Sequence, residues 1–227
     1  MLPEALRYPL ATRSGRDAYT VCTGLVIVAL ILTRVAAALW PDWLVVLPLV
    51  SLAVPASLFA GYLGRVLDID PDRASPPAFA WSRHTLHVGV RVLAVVAVYL
   101  VPAAVSLVLT AFVLLSGGAG ALLTLAPTVA LLVTVVSSYL LPAAVAAATR
   151  HGLRAGFSRS RLAGLASGSY FFAWTVAVSV VVVVWSVLAA VREATPLALA
   201  ATALFAYAHV VAARLLGEGL ARSPWKP

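Results

Sequence analysis

Six long apolar runs decide what this chain can fold into. Each is long enough to cross the ~30 Å hydrocarbon core of a bilayer, which takes about 20 apolar residues in a helix. Hydrocarbon offers no water to backbone N–H and C=O groups, so a spanning run of this kind pairs them internally as a helix. The runs predict spans at about 19–39, 44–67, 90–115, 120–149, 168–191 and 196–220, which leaves little of the 227 residues for any soluble domain. Composition agrees. Charged residues make up 11% of the chain and hydrophobic ones 63%, whereas soluble domains carry about a quarter charged residues. The expected fold is all-α: a polytopic membrane helical bundle of six transmembrane helices, forming one integral membrane domain over 1–227. The first run also has parts of a signal peptide, with Arg7, Arg13 and Arg16 ahead of it and Ala36-Ala37-Ala38 resembling a cleavage site. It is long for such a region and no exported soluble domain follows, so it is read as a span.

The connections alternate in charge. Arg7, Arg13, Arg16, Arg65, Arg73, Arg83, Arg91, Arg150, Arg154, Arg159, Arg161, Arg214, Arg222 and Lys226 fall on one side, and only Arg34 and Arg192 on the other. The positive-inside rule then places the basic side, with both termini, in the cytoplasm of a cell-membrane protein. This bias accounts for the net charge of +8 without nucleic acid. Trp40 and Trp43 suit the outer interface, and Trp81 and Trp225 the inner one. Cys22 is the only cysteine, so no disulfide forms within the chain and a cysteine-based metal site is not expected.

A unit recurs. Spans two, four and six each carry a tyrosine toward the inner end: Tyr62, Tyr139 and Tyr207. The first two are followed by similar segments, Pro77-Ala78-Phe79-Ala80-Trp81-Ser82-Arg83 and Ala155-Gly156-Phe157-Ser158-Arg159-Ser160-Arg161, each with Arg four residues after Phe. Leu2 to Asp17 reads as a worn third copy. The unit is a short interfacial segment followed by a helical hairpin, and an even number of spans per unit makes the three copies parallel.

These residues carry a resemblance. Glu4-Ala5-Leu6-Arg7-Tyr8-Pro9, Gly61-Tyr62-Leu63 with Arg65-Val66-Leu67, Pro76-Pro77-Ala78-Phe79 with Trp81, and Tyr139-Leu140-Leu141-Pro142-Ala143-Ala144 resemble domain-of-unknown-function family 4013 (DUF4013). Gly168-Ser169-Tyr170 and Arg214-Leu215-Leu216-Gly217 fit it too. The resemblance runs in order over nearly the whole chain. It implies a multi-pass membrane protein of a group found mostly in halophilic archaea, and it implies no reaction. The family's acidic residues after the Phe are missing here, where Ala80 and Trp81 follow Phe79.

Few residues offer chemistry. Asp68, Asp70 and Asp72 have the spacing that opens a calcium loop, but Arg73 and Phe79 occupy the positions that need Gly and Glu, and Pro71 lies inside. The acids are expected to pair with Arg65, Arg73 or Arg83 at a solvated turn, where such pairs contribute ~0–1 kcal/mol. His84 and His87 share a face if their segment is helical, but His151 and His209 lie elsewhere and zinc needs three or four ligands. Gly117-Gly118-Ala119-Gly120 reads as a turn, with no Lys-Ser or Lys-Thr to make it a phosphate loop. No buried membrane acid is expected, and only Arg34 and His209 are read at membrane depth. No catalytic, cofactor or metal residue is therefore assigned.

Packing signals are clearer. Ala53, Ser57 and Gly61, and Ala56, Ala60 and Gly64, recur at four-residue spacing in span two, as do Ala143 with Ala147 and Ala144 with Ala148 in span four. Small residues at that spacing let helices approach closely. Pro48, Pro55, Pro102, Pro127 and Pro142 are expected to kink spans two to four. The leading functional reading is a non-enzymatic scaffold or lipid-organising bundle, its arginine-rich loops facing anionic inner-leaflet headgroups. The competing class is a small-solute transporter or channel hinged at the prolines, and a weaker one is a membrane-embedded lipid enzyme. Homo-oligomerisation stays open. A polar cavity reaching the midplane is the feature that separates these readings.

Overall fold

The computed structural model describes residues 2–68, 75–116, 120–162, 164–191 and 196–225, without the side chains of 121–124. Its helices are α1 (Leu2–Arg7), α2 (Arg13–Ala38), α3 (Val46–Leu67), α4 (Arg83–Leu115), α5 (Ala121–His151), α6 (Gly168–Ala190) and α7 (Pro196–Ala221). Short 3-10 turns lie at Tyr8–Leu10, Trp43–Val45, Leu153–Phe157 and Arg159–Leu162. There is no strand among the described residues. Six helices are long and apolar enough to cross a membrane.

Two helices begin earlier than their apolar runs. α2 starts at Arg13 rather than 19 and α4 at Arg83 rather than 90, and the reason is local. Thr12 caps α2 by accepting from the Gly15 N–H at 3.1 Å, and Ser82 caps α4 by accepting from the Thr85 N–H at 3.2 Å. An apolar run marks only the stretch suited to hydrocarbon, whereas a cap satisfies an orphan N–H and contributes ~1 kcal/mol wherever it stands. Ser167 caps α6 in the same way through the Tyr170 N–H at 3.3 Å. Thus the first helix of each hairpin opens on a capping hydroxyl, one structural mark of the threefold repeat. The helices also run on through Pro55, Pro102, Pro127 and Pro142, so these prolines do not break the spans.

Each hairpin has an inner and an outer helix. Half of the apolar window of α7 is buried, and 33% of those of α3 and α5, against 22% for α2 and 17% for α4 and α6. The second helix of every hairpin therefore lines the interior. The outer helices leave large apolar side chains such as Val108, Phe112 and Val183 exposed. Lipid tails are as apolar as these side chains, so packing between the helices rests on close van der Waals contact. The tightest example joins α3 to α4. A Cβ added at Gly61 would fall on the Thr85 carbonyl oxygen, and one added at Gly89 on the Ser57 carbonyl. Ser57, Ala60, Gly61 and Gly64 of the expected ridges are buried; Ala53 is exposed and Ala56 half-buried. In α5, Ala143 to Ala148 are all buried, which is the close packing their spacing predicts.

The α5–α6 seam is built differently. The two backbones stay apart, and aromatic side chains bridge them. Tyr139 meets Tyr170 and Trp174 edge-on at 5.0 and 5.3 Å. The Tyr170 hydroxyl donates to the Tyr139 carbonyl at 2.7 Å, and Trp174 Nε1 donates to the Ser138 carbonyl at 3.0 Å.

The three tyrosines of the repeat each reach the segment that opens the next unit. Tyr62 of α3 stacks on Phe79 at 5.6 Å. The Tyr139 hydroxyl donates to the Leu165 carbonyl at 2.8 Å. The Tyr207 hydroxyl, on the last helix, donates to the carbonyl of Leu6 in the first segment. The pattern closes on itself.

Candidate functional site

The best candidate lies at the basic end of α7. Arg214 and Glu218 stand four residues apart on one helical face, a spacing that brings side chains together. Arg214 Nε donates to Glu218 Oε1 at 2.9 Å, with both residues less than a tenth exposed. What buries them is the N-terminal segment. Ala5 is fully buried and packs with Val211 and Leu215 of α7. Pro9 stands in the 3-10 turn Tyr8–Leu10, just ahead of the Thr12 cap, and this places the Tyr8 ring 4.7 Å from the Arg214 guanidinium carbon. A cation over an aromatic face gains ~0.5–2 kcal/mol, more when desolvated.

The cluster is not fully satisfied. Glu218 Oε2 and the Tyr8 hydroxyl are buried without a hydrogen-bond partner among the described residues. Burial pushes the Tyr8 phenol above its ordinary pKa, against the pull of Arg214, so the hydroxyl stays protonated. The sequence reading expects no buried acid, and Glu218 overturns that. Its charge alone reads as the solvated end of the last span, because the cover comes from a segment more than 200 residues away in the chain. The one local signal was its opposite charge four residues after Arg214. Chemically, the group is an ion pair closed over by an aromatic ring. Removing Arg214 would leave the Glu218 carboxylate buried without its ion-pair partner, a cost of ~3–5 kcal/mol.

The other candidates disperse. Asp68 caps the end of α3 and pairs with Arg150 of α5 rather than with Arg65 or Arg83, because the α3 and α5 ends meet on the same face. Asp70, Asp72 and Arg73 lie outside the described residues, as do Gly117, Gly118, Arg192 and Lys226. His84 and His87 do sit on a helix, in the exposed first turns of α4, and His151 is exposed at the end of α5. No group of three or more His, Cys, Asp or Glu side chains comes together among the described residues. His209 is lodged among Phe59, Trp185 and Phe205, with Nδ1 2.8 Å from the Phe205 carbonyl oxygen. Among the arginines of the basic face, Arg7, Arg13, Arg16, Arg83, Arg91, Arg150, Arg154, Arg159 and Arg222 are exposed.

Among the described residues, three shallow apolar grooves can be traced on the surface. One of about 350 Å³ lies along α6 and α7 under Leu6. One of about 460 Å³ lies between the ends of α2 and α3, beside Trp40. The third, of about 400 Å³, runs between α2 and α7 and includes Arg34.

A family model described as "Protein of unknown function (DUF4013)" matches residues 44–192, from the turn before α3 to the end of α6. The chain belongs to this family. In this DUF4013 protein the matched stretch holds the Gly61–Gly89 contact, the Tyr139 cluster and the first two repeat tyrosines. The resemblance read from the sequence extended further, to Glu4–Pro9 and Arg214–Gly217, and those residues lie outside the match. So does the buried cluster of Tyr8, Arg214 and Glu218. No curated protein and no solved structure matches this DUF4013 chain.

Proposed function

We propose that the protein is a non-enzymatic scaffold that organises lipid in a cell membrane, with both termini in the cytoplasm. The observation that carries this reading is the way the interior is filled. Helices meet backbone to backbone at Gly61 and Gly89, and the five alanines of 143–148, with Val145 among them, are buried in α5. An interior filled this way leaves little room for a solute column. The three grooves formed by described residues are apolar and lie on the outside of the bundle, where lipid chains run. The exposed arginines supply the second half of the argument. A cation beside an anionic leaflet contributes about 1 kcal/mol, and the fork of a guanidinium matches phosphate.

A carrier reading has one observation in its favour, the buried Arg214–Glu218 pair, since ionisable groups at membrane depth commonly mark transport paths. The pair sits in the last two turns of α7 beside the N-terminal segment, which suits a fastening better than a path. The test reconstitutes the protein in nanodiscs of phosphatidylcholine doped with phosphatidylglycerol and measures how many anionic lipids are held. Retention that falls when Arg83, Arg154 and Arg159 are together changed to Gln supports the scaffold. Equal retention by the triple variant would sink it. Electrogenic flux in proteoliposomes, abolished by Glu218→Gln, would favour the carrier.

A further inference from the structure

Opposite the basic face, α2 and α7 part. Up to Val26, α2 packs through Gly15, Ala18, Cys22, Leu25 and Val26; from 27 to 38 only Ala36 is buried. The space that opens is the third groove, of about 400 Å³, walled by Ile27, Leu30 and Ile31 of α2 and by Leu199 and Thr202 of α7. That volume lies within the ~300–1,000 Å³ usual for small-molecule sites. Among the described residues its one charged lining residue is Arg34, about one turn from the end of α2. Arg34 makes no ion pair or hydrogen bond among the described residues. The Thr202 hydroxyl donates to the Ala198 carbonyl at 2.7 Å on its own helix, so it offers the groove no proton. The guanidinium is thus the donor available at the mouth of an otherwise apolar channel.

We propose that this groove seats one anionic phospholipid, its acyl chain along Ile27, Leu30, Ile31 and Leu199 and its phosphate on Arg34. The chemistry is complementary at both ends. An unpaired cation at the edge of hydrocarbon is costly, and long arginine side chains relieve this by reaching toward the interface. A phosphate at that depth supplies a counter-ion matched to the guanidinium fork. The apolar walls below it give the chain a surface that a free phosphate ion would not use. A net negative headgroup is favoured over a zwitterionic one because choline brings a second cation to the same mouth. The site lies at the far end of the bundle from the arginine-rich face and does not rest on the scaffold reading.

A local probe tests it. In a Cys22→Ala background, Val35→Cys carries a bimane beside Arg34, and the protein is placed in phosphatidylcholine nanodiscs. Chain-nitroxide phosphatidylglycerol is compared with chain-nitroxide phosphatidylcholine as quencher. One cation–phosphate contact near a membrane surface corresponds to about a fivefold lower half-quenching fraction for the anionic lipid. Arg34→Gln is expected to bring the two lipids level. Leu199→Trp, at an exposed position, fills the groove without changing charge and is expected to do the same. Equal quenching in the unaltered groove overturns the proposal. A preference that survives Leu199→Trp also overturns it, because the attraction would then be to surface charge and not to a seated lipid. The probe reports only this end of α2, so either failure leaves the arginine test on the other face standing.

Discussion

Adding a single methyl group to Gly61 is the sharpest test of how the bundle is held. A Cβ there lands on the Thr85 carbonyl oxygen and 3.1 Å from the Gly89 backbone nitrogen. Neither neighbour is a flexible side-chain end that can rotate away. α3 and α4 must separate along their whole seam, and each small contact along it weakens together. Overpacking typically costs ~1–3 kcal/mol, and a rigid backbone neighbour puts Gly61→Ala at the upper end, about 3 kcal/mol. Gly89→Ala meets the Ser57 carbonyl across the same seam and should cost as much. Because either change opens the gap that the other needs, the double variant is expected to lose about 4 kcal/mol rather than 6. Val183→Leu, on the exposed face of α6, should stay within ~0.5 kcal/mol. The assay is the unfolding midpoint against SDS mole fraction in mixed micelles, read by tryptophan fluorescence for the four variants and the unaltered protein. If Gly61→Ala matched the unaltered protein, or if the two alanine changes were strictly additive, the close backbone contact would be wrong.

Other contacts in the bundle set further outcomes. Glu218→Gln should destabilise by ~3 kcal/mol, whereas Arg214→Met with Glu218→Leu should recover much of that loss in the same SDS titration. Tyr207→Phe should cost ~1 kcal/mol and speed trypsin cleavage after Arg7, while Ser179→Ala, on the exposed face of α6, should change neither. If both termini are cytoplasmic, as proposed, a cysteine replacing Ser75 should react with a membrane-impermeant maleimide only in inverted vesicles and one replacing Ser116 only in intact cells. Reaction of both from one side would refute the six-span topology.

The six spans were legible because hydrocarbon demands long apolar runs and little else produces them. The ridge on α3 was legible in part. Ser57, Gly61, Ala60 and Gly64 are buried, but Ala53 is exposed, because the ridge serves only the half of α3 that meets α4. Its partner Gly89 gave no signal, since one glycine at a span's start carries no periodicity. Helix starts at Thr12 and Ser82 were missed because hydropathy does not register a capping hydroxyl. Asp68 with Arg150 and Tyr8 with Arg214 are pairings across the chain, 82 and 206 positions apart. Tertiary packing decides them, and no local pattern announces it. The same gap hid Glu218, whose burial depends on a segment at the other end of the sequence.

The closure of the tyrosine pattern has a consequence for how the chain is made. Translation delivers the Leu2–Leu10 segment well ahead of its anchor, Tyr207, which stands 201 residues after Leu6. Tyr8 finds Ala18 and Cys22 of α2 early, but Ala5 lacks Val211 and Leu215, the side chains it packs with, until α7 arrives. Phe79 and Leu165, by contrast, emerge shortly after the tyrosines that receive them. The last hairpin to enter the bilayer thus completes the first unit, and a nascent chain stalled before α7 would show an N-terminal segment open to protease.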